Sequence, residues 1–61
     1  MLLYEFNYSD TTDFDSFLKM MREKYPHIVN RKRLCVHPEE ITDALRKDLE
    51  DQGVTLEEID Q

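Results

Sequence analysis

The sequence predicts a small α+β fold: a three-stranded sheet with two helices packed on one face, in the order β-α-β-α-β. Three observations carry that expectation. Residues 2–8 alternate with a period of two, setting Leu2, Tyr4, Phe6 and Tyr8 against Leu3, Glu5 and Asn7. Phe14, Phe17, Leu18, Met21 and Tyr25 then recur at the spacing of one helical stripe. A second stripe, Ile41, Ala44, Leu45 and Leu49, ends near Gly53, the single glycine of the chain.

The first strand is rich in aromatics, the composition of a pleated, half-buried surface. After it, Ser9-Asp10-Thr11-Thr12 breaks the alternation and offers helix N-caps, with Thr12 and Asp15 spaced as a capping box. The first helix has Asp13 and Asp15 in its opening turn and Arg22 and Lys24 near its end, the order that complements its dipole. Pro26 stops it near Tyr25. Ile28-Val29 suits either a short strand or a loop laid on the core. A short strand is expected at 34–36, with Lys32 as its earliest start. His37-Pro38-Glu39-Glu40 places proline and acids where a second helix would open. Gly53 suits the left-handed residue that closes it. In the tail, Val54 and Leu56 alternate as a strand would, while Thr55 and Glu58 also make a capping box; a strand is expected. The expected core is Leu2, Tyr4, Phe6, Phe14, Phe17, Leu18, Met21, Tyr25, Leu34, Val36, Ile41, Leu45 and Leu49.

Sixty-one residues amount to one domain, and a chain of that length buries only about 60% of its unfolded surface. The single cysteine, Cys35, precludes an internal disulfide. A tiny fold without staples favours a partner or self-association. Met1-Leu2-Leu3 lacks the basic start of a signal peptide, Glu5 interrupts the apolar run, and no stretch approaches a membrane span. A lone thiol suits a reducing compartment, so the cytoplasm is the expected location.

The chemistry is best approached through exclusions. One glycine cannot build a P-loop or a dinucleotide-binding turn. Cys35-x-His37 with His27 is the one cluster of soft ligands, and it lacks the paired spacing of a zinc site; no metal or cofactor is expected. Cys35 with a histidine would still need an oxyanion site and a substrate cleft for nucleophilic catalysis, and a domain this small rarely forms one. Asp13-x-Asp15 has no calcium-loop glycine, and Phe17 stands at the next ligand position. With fourteen acids in so short a chain, adjacent carboxylates are expected by composition alone. An enzyme is the least expected class.

Charge is the remaining signal. From Leu34 to Gln61 nine carboxylates face only Arg46 and Lys47, and the chain carries a net charge of −6. The nine are Glu39, Glu40 and Asp43, then Asp48, Glu50 and Asp51, then Glu57, Glu58 and Asp60. Such a field repels nucleic-acid and membrane phosphates and attracts basic surfaces. On the second helix, Asp43–Lys47, Arg46–Glu50 and Lys47–Asp51 are spaced for weak ion pairs. Asp48 falls inside the apolar arc, where a carboxylate must pair, reach the rim or face a partner; pairing with one of Arg31, Lys32 or Arg33 is expected, with exposure at the rim as the alternative.

The expected function is protein binding: an inhibitor or regulator whose nine acids form a belt against a partner's basic surface. A nucleic-acid-processing enzyme is the natural partner, because spaced carboxylates imitate phosphates. Small acidic inhibitors of phages and mobile elements have this size and charge, a likeness of type that matches no family. Two alternatives come from other classes. One is a structural or regulatory homodimer formed through Leu3 and an exposed strand edge. The other is a weak single-stranded nucleic-acid binder using Arg31-Lys32-Arg33 and the strand aromatics, although a triplet neutralises at most about three phosphates.

Overall fold

A computed structural model describes residues 2–60, with the side chain of Asp60 outside the description. Strand β1 (Leu2–Tyr8) leads into helix α1 (Phe14–Lys24) and a single helical turn, α2 (Pro26–Val29). Strand β2 (Cys35–Val36) follows, then a 3-10 turn at Pro38–Glu40, helix α3 (Asp43–Asp51) and strand β3 (Val54–Asp60). The sheet order is β2-β1-β3, with β1 antiparallel to both neighbours. The α+β expectation is met, including the strand at the tail.

The β1–β3 ladder explains why that tail is extended rather than helical. It pairs every residue of both strands, from Leu2 opposite Asp60 to Tyr8 opposite Val54. Directly opposed residues share a face, so Val54 and Leu56 join Tyr8 and Phe6 over the core. A single helical turn at Thr55 would forfeit that pairing.

One core fills the space between sheet and helices: Phe6, Phe17, Met21, Ile28, Val36, Leu45, Leu49 and Val54 are all buried. Phe6 meets Phe17 edge-to-face with centroids 5.3 Å apart. Tyr4, Tyr25, Leu34 and Ile41 pack around this cluster at its margin, as expected. Three expected core residues lie outside it: Leu2, Phe14 and Leu18, the last half-buried on α1. Leu2 is 38% exposed at the end of the sheet, beyond the two positions where β2 pairs with β1. Phe14, 46% exposed, is the first residue of α1 and meets Tyr8 edge-to-face with centroids 5.2 Å apart. Ala44, placed on the second apolar stripe by its spacing, is also exposed, because α3 seats Leu45 and Leu49 instead.

Several local expectations are corrected. Asp13, not Thr12, caps α1: its carboxylate accepts from the Ser16 N–H at 3.3 Å and the Ser16 hydroxyl at 3.0 Å. The Thr12 hydroxyl instead donates to the Gly53 carbonyl at 3.0 Å. Ile28-Val29 is neither strand nor loop. Pro26, unable to continue α1, starts a fresh turn that drives Ile28 into the core. The second helix does not open at Pro38. Residues 38–40 form a separate 3-10 turn, and Thr42 caps α3 by accepting from the Leu45 N–H at 3.1 Å. Cys35 and Leu3 are buried on the sheet face opposite the helices, because each lies one residue out of phase with the core set.

Gly53 behaves as expected: it follows α3 with φ at +72°, and its N–H reaches the Glu50 carbonyl at 3.0 Å. It also has a packing role. A Cβ there would stand 2.8 Å from the Ser9 hydroxyl oxygen and 3.3 Å from that of Thr12. We expect Gly53→Ala to lose about 1–2 kcal/mol from the left-handed backbone, plus the cost of displacing Ser9. Urea midpoints of Gly53→Ala, Ser9→Ala and the double variant check this. The double variant should lose less than the two single losses combined.

Candidate protein-interaction surface

The acids divide into those the fold consumes and those it leaves outward. Glu40 belongs to the first group. Arg31 grips it with both terminal nitrogens, Nη1 to Oε1 at 2.7 Å and Nη2 to Oε2. The His37 N–H donates to Oε1 at 2.8 Å, and His27 Nε2 stands 3.6 Å from Oε2. Arg31 also donates to the Cys35 carbonyl at 2.8 Å. One side-chain pair thus ties the loop after α2 to β2 and to the 3-10 turn. The Arg31 hydrogen bonds, aided by the His37 N–H, hold the Glu40 carboxyl down to about 2 against the opposing pull of burial. Glu40 raises the Arg31 guanidinium in return.

Asp48 is consumed as well, by partners other than those expected. The Tyr25 hydroxyl donates to Oδ2 at 2.7 Å and Lys24 Nζ to Oδ1 at 3.1 Å. Arg31 is taken by Glu40, and Arg33 pairs with Glu5 at 3.1 Å. The end of α1 therefore reaches Asp48 on α3 and leaves it no need of the triplet. The Tyr25 hydroxyl bond, followed by Lys24, lowers the Asp48 carboxyl. Burial first, and then Asp48, push the Tyr25 hydroxyl up to about 12.

The outward group is Glu39, Asp43, Glu50, Asp51, Glu57 and Glu58, all exposed and none in an ion pair among the described residues. Asp60 ends β3 opposite Leu2, and its side chain lies outside the described residues. The pairs at Asp43–Lys47, Arg46–Glu50 and Lys47–Asp51 are not closed among the described residues. The outward acids do not form one belt. The ladder puts Glu58 on the helix-covered face opposite Tyr4, and Glu57 on the far face opposite Glu5. That Glu5–Glu57 opposition sets like charges directly across a sheet, an arrangement that costs stability, and Arg33 offsets it from one side.

Two features that the sequence reading missed adjoin these acids. A groove of about 590 Å³ runs between α3 and β3, lined by Arg46, Leu49 and Glu50 on one side and Val54, Thr55 and Leu56 on the other. Ser9 and Gly53 close one end. The second feature is the outer edge of β3, which among the described residues pairs only with β1. Strand alternation near Gly53 was visible in the sequence; that β3 would be an edge strand was not.

The other candidate chemistry is rearranged by the fold. Arg31 and Arg33 are engaged internally, which leaves Lys32 as the one triplet cation without an ion pair among the described residues. Phe6 is buried, and Tyr8 lies edge-on to Phe14 and Phe17, so these rings are not a flat platform for bases. Among the described residues no group of three or more His, Cys, Asp or Glu is placed to hold a metal ion. No described helix is long and apolar enough to cross a membrane. No family model, curated protein or solved structure matches this chain.

Two pH predictions follow from these pairs. Glu40 is depressed from 4.5 to about 2, so its contribution is complete above pH 4.5 and disappears as pH falls through the folded value. Urea unfolding across that window should lose about 3 kcal/mol at most from this group, and Glu40→Gln should flatten the dependence. Tyr25 is raised from 10.0 to about 12, so stability should fall as pH rises through that interval. Burial also raises the Tyr8 hydroxyl, so ultraviolet titration should show a late component of which one tyrosine's share is lost in Tyr25→Phe and comes earlier in Asp48→Asn.

Proposed function

We propose that this protein is an acidic protein-interaction module that occupies a basic surface of another protein and thereby inhibits or regulates it. The observation that carries the reading is the unequal use of charge. Lys24, Arg31 and Arg33 are spent on Asp48, Glu40 and Glu5, while Asp43, Glu50 and Asp51 of α3 and Glu57 and Glu58 of β3 remain outward beside a groove and a strand edge. A surface that ordinarily holds nucleic-acid phosphates is complementary to such carboxylates, so a nucleic-acid-processing enzyme is the favoured partner. The fold's own pairing narrows the binding residues. Glu40 and Asp48 serve stability, and recognition is assigned to Glu39, Asp43, Glu50, Asp51, Glu57 and Glu58.

Affinity capture from lysate at low and moderate salt, followed by mass spectrometry, tests the reading. The expected result is capture of a basic protein that weakens with salt and is lost in Glu57→Lys/Glu58→Lys. Capture indifferent to both salt and charge reversal would overturn it. Glu39→Lys, remote in sequence from β3, should weaken capture less.

A further inference from the structure

The ladder fixes which backbone groups of β3 point away from the sheet. The Ser9 N–H donates to the Gly53 carbonyl at 3.3 Å, which makes Ser9 and Gly53 a hydrogen-bonded pair next to the ladder. Antiparallel pairs alternate, so Asn7–Thr55, Glu5–Glu57 and Leu3–Ile59 are the mutually bonded pairs. Val54, Leu56 and Glu58 therefore turn their N–H and C=O groups outward. Their side chains lie on the helix-covered side, where Val54 and Leu56 line the groove.

An unpaired edge of seven residues is a template for another strand. Its charge selects the occupant. If two copies paired β3 with β3 along its full length about a two-fold axis, Glu57 would face its own symmetry mate, and each molecule carries −6. A second copy also gains little from Leu3, which is buried within the chain. A strand bearing two adjacent lysines or arginines meets neither obstacle: one cation would oppose Glu57 on the far face and relieve the Glu5–Glu57 repulsion, and the other would oppose Glu58 on the helix-covered face. An apolar residue two positions from the cation at Glu58 would share its face and lie over Leu56 at the groove.

We infer that β3 accepts an extended, basic segment of another protein as a fourth strand, held by the outward groups of Val54, Leu56 and Glu58 and selected by Glu57 and Glu58. This rests on the protein-binding reading and adds the mode of docking. Glu58 separates charge from backbone. Glu58→Gln removes the carboxylate and keeps the outward N–H. Glu58→Pro removes both and breaks no bond to β1, because that N–H points away from the sheet.

The probe is a ten-residue, end-capped peptide in which pairs of lysines alternate with pairs of valines, so that adjacent lysines can meet Glu57 and Glu58 while a valine covers Leu56; it is titrated at low salt by calorimetry. Binding is expected to the wild type, weaker to Glu58→Gln, and about tenfold weaker again to Glu58→Pro. Circular dichroism establishes that the proline variant is folded. A peptide N-methylated at alternate residues, with the same charge, should likewise bind the unaltered protein about tenfold less. Amide exchange should slow at Leu56 and Glu58 on binding. Equal affinity of the proline and glutamine variants, together with equal affinity of the methylated peptide, would overturn strand addition while leaving charge-based binding intact. No binding of the plain peptide would also overturn strand addition, and the lysate capture then judges the broader reading by itself. A dimer formed through β3, seen as concentration-dependent mass lost in Glu58→Pro, would overturn the choice of occupant.

Discussion

The pairing of β1 with β3 is the constraint from which the rest of the molecule follows. It joins the first and last described segments of the chain along seven opposed positions. β1 becomes the central strand, and β2 needs only two residues to complete the sheet. β2 and β3 both run antiparallel to β1, so the chain between them must cross β1, and α3 makes that crossing with Leu45 and Leu49 against the core. The turn at Gly53 then has to deliver Val54 opposite Tyr8. Its positive φ and the hydroxyls of Ser9 and Thr12 hold it to that position.

Around this frame the charges have two separate duties. Where the chain has no apolar side chains to fix it, an ion pair does the fixing: Arg31, in the polar stretch 30–33 between α2 and β2, is tied to Glu40 of the 3-10 turn and to the Cys35 carbonyl of β2. Tyr25, Lys24 and Asp48 fasten α1 to α3 in the same manner. These carboxylates are only partly exposed, and their remaining lone pairs meet donors, which is the condition under which such pairs repay their desolvation. The outward acids satisfy no such need among the described residues.

The regular elements were legible because their periods are long enough to be read. Seven residues of alternation revealed β1, about three turns of apolar spacing revealed α1, and Gly53 marked the end of α3. Legibility failed where the chain makes single turns. His37-Pro38-Glu39-Glu40 has the residue types of a helix start, yet Glu40 bonds back to the His37 N–H and to Arg31, and Thr42 takes over the capping of α3. Ile28 carried no periodic neighbours to reveal its burial. At the candidate surface, the list of acids was available but not their distribution. Whether Asp48 points to Arg33 or Tyr25 depends on helix packing, and Glu57 and Glu58 were grouped although adjacent strand residues face opposite sides.

That opposition of faces bears on how the surface would be used. A continuous acidic belt would complement a flat basic patch through side chains alone. Glu57 below the sheet and Glu58 above it instead straddle the strand edge, so a ligand meeting both must lie along the edge itself. The same two residues discourage self-pairing, because the full-length register stacks Glu57 on its own copy. An acidic edge is thus a selective one: its backbone groups would accept any strand, and its carboxylates reject acidic strands while favouring basic ones. The Glu5–Glu57 repulsion adds to this selectivity, since a cation placed beside it gains from two carboxylates of which Arg33 has neutralised only one.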